Sequence, residues 1–363
     1  MIDLKQYGYT ETTPIPHGTI PGRVTEHQRE KYTLITRHGE VTASLKGNFY
    51  HTARGREDFP CVGDFVLLQY NDSGDSRITE LLPRRTKFSR ADFSGHAAGY
   101  VKTIHEQVVA ANFDYVFILS SLNADFNVSR ILRYLTQARQ SGGQPVVILT
   151  KADLADDYWA QEEQVRRAEP DVPVCSVSSY TGEGLGALGQ FLQPGKTVVF
   201  LGMSGVGKSS LLNALMDADV MAVKAVREDD SRGRHTTTHR QLFMLPTGAM
   251  VIDTPGMREL GLFNADEAIS VGFADIEELF TQCRFSDCGH KTEPGCAIRA
   301  AIADGSLPQE RWERYQAQRR ENRFVEDKAA YMRERDAFAK SLSAFSKSIK
   351  KADRQGKGRR TVQ

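Results

Sequence analysis

The sequence has no apolar run approaching the ~18 residues that a membrane-spanning helix needs. Its first twenty residues show neither the basic start nor the apolar core of a signal peptide. No membrane association is therefore expected. Cysteines number five in 363 residues, too few for a disulfide framework, and this favours a reduced, cytoplasmic setting. Neither sign of charge is in excess: 47 Lys and Arg stand against 46 Asp and Glu, a formal net of +1. Any nucleic-acid partner would have to be met by local basic patches rather than by global charge. What is there, 40% hydrophobic and 26% charged residues, can bury a large core in two or three domains. Nothing in the composition asks for more than a monomer.

The most informative stretch is Gly202-Met203-Ser204-Gly205-Val206-Gly207-Lys208-Ser209, which fits the phosphate-loop pattern. The run before it, Thr197 to Leu201, is continuous, apolar and partly β-branched, as a buried parallel strand should be. Ser210-Leu211-Leu212-Asn213-Ala214-Leu215 follows as a helix start. In that context backbone N–H groups close around phosphate oxygens and the helix N-terminus adds positive potential. Lys208 reaches the β and γ phosphates, and Ser209 can ligate Mg²⁺.

Base-reading residues separate the nucleotide classes. Thr150-Lys151-Ala152-Asp153 follows an apolar strand and resembles the GTPase motif Asn-Lys-x-Asp. An Asp153 carboxylate could accept from the guanine ring N–H and amino group, whereas adenine would leave it unpaired. Lys151 would lay its stem along the base. Thr at position 150 lacks the amide that ties this loop to the phosphate loop, so looser nucleotide binding is expected. Cys175-Ser176-Val177-Ser178-Ser179 resembles the short loop that offers a backbone N–H to the guanine oxygen, which brings in Ser178 and Ser179.

After the phosphate loop come Arg234-His235-Thr236-Thr237-Thr238, suited to the first switch, and Asp253-Thr254-Pro255-Gly256, suited to the second. The base motif thus precedes the phosphate loop, the reverse of the ordinary order, which amounts to a circular permutation. On these motifs the chain resembles the circularly permuted GTPases that act in maturation of the small ribosomal subunit (RsgA type), over roughly residues 24 to 345. The resemblance implies Thr237 as a Mg²⁺ ligand, with Asp253 holding the ion through water and Gly256 touching the γ phosphate. Met257 stands where many small GTPases carry the Gln that orients the attacking water. On chemistry and resemblance, His235 is the candidate to replace that Gln, with Arg232, Arg234 or a partner residue as alternative sources of charge. Slow intrinsic turnover, stimulated by the small subunit, follows.

Short strands punctuated by glycine between residues 24 and 90 suggest a five-stranded oligonucleotide-binding barrel. Its basic and aromatic residues, among them Arg23, Lys46, Phe49, Tyr50, Arg54, Arg56, Arg84, Arg85, Lys87 and Arg90, could hold RNA. Strand and helix signals alternate from 115 to 201, the mark of a parallel sheet. Cys283, Cys288, His290 and Cys296 supply a closed, structural Zn²⁺ set; their spacing matches the permuted family. The expected organisation is an extension (1–23), the barrel (24–90), a linker (91–112) and a permuted α/β GTPase domain (113–272). A helical zinc-binding domain (273–345) and a basic tail (346–363) suited to phosphate backbones complete it. GTP or GDP, Mg²⁺ and one Zn²⁺ are the expected cofactors, and rRNA of the small subunit is the expected partner. Two rival readings remain: an RNA-binding module with a degenerate, purely structural nucleotide site, and a P-loop metabolic kinase or ATPase.

Overall fold

The computed structural model describes residues 1–10, 14–28, 30–47, 49, 53, 56–92, 105–123, 125–218, 220, 240–253 and 265–323. The candidates Arg232, Arg234, His235, Thr236, Thr237, Thr238, Gly256 and Met257 lie outside them, as do Tyr50, Arg54 and the basic tail.

Five strands make the first body: β1 (Ile20–Gln28), β2 (Lys31–Thr36), β3 (Gly39–Leu45), β4 (Phe65–Gln69) and β5 (Ser76–Leu81). Their order is β1-β2-β3-β5-β4, and β4 returns to pair with β1, so the sheet closes on itself. All pairs are antiparallel except β3 with β5. This is the oligonucleotide-binding barrel topology. Val24, Leu34, Ala43, Val66, Leu68 and Ile78 fill it, drawn from alternate positions as the two-residue period of a strand requires.

β1 begins at Ile20, inside the segment expected to be an extension. Pro21 and Gly22 hid the strand from the sequence reading. Pro21 pairs only with β4, through Leu67, whereas Gly22 is the first residue to pair with β2; a residue without an N–H is tolerated where one neighbour is missing. β4 starts only at Phe65 because Gly63, at φ +94°, turns the chain first.

The expected linker is also corrected. β6 (Lys87–Asp92) and β7 (His105–Ala111) form an antiparallel pair, and Val109 and Ala110 join the buried core beneath Phe88 and Phe113. Gly95 and Gly99 lie between the two strands, outside the described residues.

The second body is a parallel sheet with helices on both faces. It contains β8 (Tyr115–Ser121), α1 (Val128–Gln140), β9 (Gln144–Thr150), α2 (Trp159–Ala168), β10 (Val174–Val177) and β11 (Thr197–Leu201). α3 (Lys208–Met216), β12 (Gln241–Met244) and β13 (Met250–Asp253) follow. Strand order is β10-β9-β8-β11-β13-β12, with only β12 antiparallel. β8 and β11 are buried nearly end to end, as strands covered on both faces must be. Between β10 and β11 the connection is a 3-10 turn, Leu185–Gln190, because Gly186 and Gly189 weaken a longer helix.

The third body is helical: α4 (Asp266–Gly272), α5 (Ala274–Phe280), α6 (Ala297–Ala303) and a helical stretch over 309–323. α4 packs on α1 and also into this body, since Ala265 and Ile269 share one core with Cys296, Ile298 and Trp312.

Candidate functional site: the nucleotide cavity and the cysteine cluster

The phosphate loop runs from the buried end of β11 into α3, with Gly207 at φ +95° as the residue before the first helical turn. A Cβ on Gly202 would stand 2.7 Å from the Leu119 carbonyl oxygen, so the loop can leave β11 this close to β8 only with glycine there. Lys208 donates from Nζ to the carbonyls of Gly202 and Met203, at 2.7 and 2.6 Å. The ammonium is thereby held over its own loop, where phosphate oxygens would compete for it. Ser204 and Gly205 are exposed at the loop tip.

At the carboxyl ends of β9 and β10, beside this loop, lies a cavity of about 610 Å³. Thr150, Lys151, Asp153, Ser179, Gly207 and Ser210 line it, so residues of the base motif, the Ser-rich loop and the phosphate loop meet there. Parallel α/β sheets bind ligands in this position. Tyr180, Asn213, Ala214, Asp217 and Ala218 complete the lining. Sequence reasoning missed these, and the only signal available was their place just after a motif residue, in the second turn of α3 or just past its end.

Two hydrogen bonds organise the base end. Thr150, 1% exposed, donates its hydroxyl to the Val206 carbonyl at 2.6 Å. The base loop is therefore tied to the phosphate loop by a hydroxyl where other GTPases use an amide, and the expectation of a slackened tie is corrected. Ser178 is buried and does not line the cavity; its hydroxyl donates to Asp153 Oδ1. The same Oγ accepts the N–H groups of Tyr180 and Thr181, at 3.2 and 3.1 Å. Ser178 thus aims the carboxylate, leaving Ser179 as the serine of the pair that faces the cavity. Asp153 keeps its other oxygen free of this bond, the arrangement an acceptor for two guanine donors needs. Asp253 ends β13, is buried, and lies outside the cavity lining. Gly202, Ser204, Gly205, Val206, Lys208 and Ser209 are likewise in the loop or helix but not in that lining.

In the helical body, the ligand atoms of Cys283, Cys288, His290 and Cys296 all lie within 4.8 Å of one another. His290 Nδ1 stands 3.6 Å from both Cys283 Sγ and Cys296 Sγ. With metal–sulfur bonds of ~2.3 Å and metal–nitrogen bonds of ~2.0 Å, a tetrahedral ion places S and N about that far apart, so the donor set fits Zn²⁺. Burial lowers the His290 pKa, which favours the neutral ring that a metal ligand requires. Phe280 stacks on that ring at 4.4 Å between centroids. Glu293 accepts backbone N–H groups from Gly289, Lys291 and Thr292, which fixes the loop carrying His290. Its pKa is pulled down to about 2 by the backbone N–H groups of Glu293 itself, Lys291 and Thr292.

A closed five-stranded barrel, a phosphate loop that follows its base motif in the chain, and a Cys₃His helical body define a circularly permuted P-loop GTPase. Comparisons with known proteins agree. A family model described as RsgA GTPase matches residues 81–263. A Lactiplantibacillus plantarum protein named small ribosomal subunit biogenesis GTPase RsgA 2 is 44% identical over 324 residues, covering 88% of this chain and 89% of that one. The Listeria monocytogenes protein of the same name is 45% identical, with the same two coverages. Among solved structures, YjeQ from Thermotoga maritima gives a TM-score of 0.60 at 26% identity, over 82% of this chain and 96% of that one. YloQ, described as a circularly permuted GTPase, gives 0.56 over 86% and 96%, and at 23% identity shows the fold. The chain belongs to the RsgA GTPase family.

Proposed function

We propose that the protein hydrolyses GTP to GDP and phosphate while bound to the small ribosomal subunit, and that it serves late maturation of that subunit. The observation that carries this is the cavity in which Asp153, aimed by Ser178, faces a phosphate loop tied to it by Thr150. The intact tie and the aimed carboxylate argue against a degenerate site, and the carboxylate argues against an adenine nucleotide.

Asp153 and Lys151 hold the guanine, Ser179 offers its backbone N–H to the base oxygen, and Gly205, Val206, Gly207 and Lys208 wrap the phosphates. Mg²⁺, held by Ser209 and Thr237 and through water by Asp253, would screen the charge on the phosphates. Gly256 meets the γ phosphate. His235 orients the water that attacks the γ phosphorus as the bond to the bridging oxygen breaks, the task Met257 cannot perform. Zn²⁺ on Cys283, Cys288, His290 and Cys296 is structural, cross-linking the loop 283–296 to the helical core. The barrel and the basic tail bind rRNA. The protein works in the cytoplasm, as a monomer; among the described residues no helix is long and apolar enough to cross a membrane.

The test is phosphate release from GTP, alone and with added small subunits, using large subunits, ATP and Lys208→Ala as controls. A rise of tenfold or more, roughly 1.4 kcal/mol off the barrier, is expected only with small subunits and GTP. Equal rates with and without small subunits would overturn the proposal.

A further inference from the structure

Tyr180 is 91% exposed and lines the same cavity as Lys151 and Asp153. Among the described residues no hydrogen bond or ring contact holds its side chain. Its backbone is fixed: the N–H goes to Ser178 Oγ, Gly182 N–H bonds the Ser178 carbonyl at 3.0 Å, and Ser178 N–H bonds the Glu183 carbonyl at 2.9 Å. Ser178 Oγ is also the atom that aims Asp153. One side-chain oxygen therefore sets both the carboxylate and the point from which the tyrosine ring swings. An aromatic ring left in water on an anchored turn, beside a carboxylate placed for a planar heterocycle, has an evident use. Covering one face of that heterocycle removes apolar surface of both from water.

We infer that Tyr180 stacks on the nucleobase, resting on the reading of this cavity as the guanine site. Stacking is indifferent to the hydrogen-bonding edge of a base. Tyr180 therefore supplies affinity, and Asp153 supplies the choice of guanine. The ring lies at the base end, so GDP and a nonhydrolysable GTP analogue gain equally from it.

The test is calorimetric titration of GDP, the GTP analogue and ADP into the wild type, Tyr180→Ala, Tyr180→Phe and Tyr180→Trp. Tyr180→Ala is expected to raise the Kd for GDP and for the analogue by the same factor, about tenfold, within the range of base–aromatic stacks. Tyr180→Phe and Tyr180→Trp should stay within about twofold of the wild type, because they keep the ring. The ratio of GDP to ADP affinity should not change. Melting temperatures without nucleotide should match, since so exposed a side chain packs against little. Unchanged GDP affinity in Tyr180→Ala, equal losses in Tyr180→Ala and Tyr180→Phe, or a collapse of base choice would each overturn the stacking role. A wild type that binds ADP as well as GDP would instead overturn the guanine-site reading while leaving a base-blind stack in place.

Discussion

Replacing Thr150 by valine removes one hydroxyl and little else. Valine keeps the branched β carbon and nearly the same volume, so β9 retains its pairing with Ser121 on β8 and Val177 on β10 and its packing is undisturbed. What is lost is the 2.6 Å bond to the Val206 carbonyl and a longer contact, 3.4 Å, to the Ser120 carbonyl. Losing a buried neutral hydrogen bond and stranding its acceptor costs ~1–3 kcal/mol. Because the bond exists before nucleotide arrives, part of that loss falls on the stability of the free protein and part on the preorganisation of the loop. A stability loss of ~1–2 kcal/mol lowers the melting temperature by about 2–8 °C in a body of this size. A preorganisation loss of ~0.7–1.4 kcal/mol raises the Kd for GDP about three- to tenfold. Thermal melts without nucleotide and titration with GDP read the two parts separately. Thr150→Asn, which supplies an amide for the same tie, should restore GDP binding to within about threefold of the wild type. If Thr150→Val melted and bound GDP like the wild type, the hydroxyl would hold nothing and the account of the tie would fail.

Ser178→Ala should weaken GDP binding about tenfold, since a bond to a charged group contributes ~1.5–3 kcal/mol, and should narrow the preference for GDP over ADP; competition titrations check both. Gly63→Ala places a Cβ 2.0 Å from the Ala111 carbonyl at φ +94°, so soluble yield and melting temperature should collapse, a loss above ~3 kcal/mol. Removing metal with a strong chelator should release one equivalent of Zn²⁺, measurable by a colorimetric indicator, and expose Trp312, whose ring stands 5.7 Å from His290, with a red shift in tryptophan emission. GDP affinity should remain within about twofold after that treatment, because no cysteine of the cluster touches the nucleotide cavity.

Motif-bearing loops were legible because their chemistry constrains residue type at fixed spacing. The phosphate loop needs glycine where backbone crowds, and Asp153 must be a carboxylate; both are visible in a string. The tie made by Thr150 was not legible, since the sequence shows only that an amide is missing, not that β9 brings a hydroxyl within reach of Val206. Ser178 was read as a cavity residue and is a support for one. A β10 side chain period cannot show which of two neighbouring serines faces inward. The pair β6 and β7 escaped because its intervening segment contains glycines and its second strand, His105–Ala111, mixes polar and small apolar residues that give no clean alternation.

The three bodies are joined by junctions of different kinds, and this difference bears on what a nucleotide could move. The barrel meets the GTPase sheet through Glu26 on β1 and Gln241 on β12 and through Arg23, which is fully buried. Arg23 donates to the carbonyls of Gly63, Tyr7 and Asn112, contacts Met250 Sδ at 3.2 Å, and lies over the Phe65 ring. Burial, with the neighbouring charge of Arg85, pulls its pKa down to about 9, so at neutral pH it remains a cation whose partners are fixed carbonyl dipoles. Moving the barrel away from the segment that leads into β8 would strand the Asn112 carbonyl, at a cost of ~1–3 kcal/mol. The helical body docks on α1 through the packing of α4, through buried Thr136 and Gln318, which bond at 2.8 Å, and through Arg133 with Glu321, both about one-third exposed. An ion pair so exposed is worth ~0–1 kcal/mol and can be exchanged for water. If the nucleotide state displaces one body against the others, chain order points to the helical one, which follows Gly256 after a short segment. Affinity for small subunits should then differ between GDP and a nonhydrolysable GTP analogue, and Arg133→Ala should narrow the difference; equal affinities for the two nucleotides would sink the coupling.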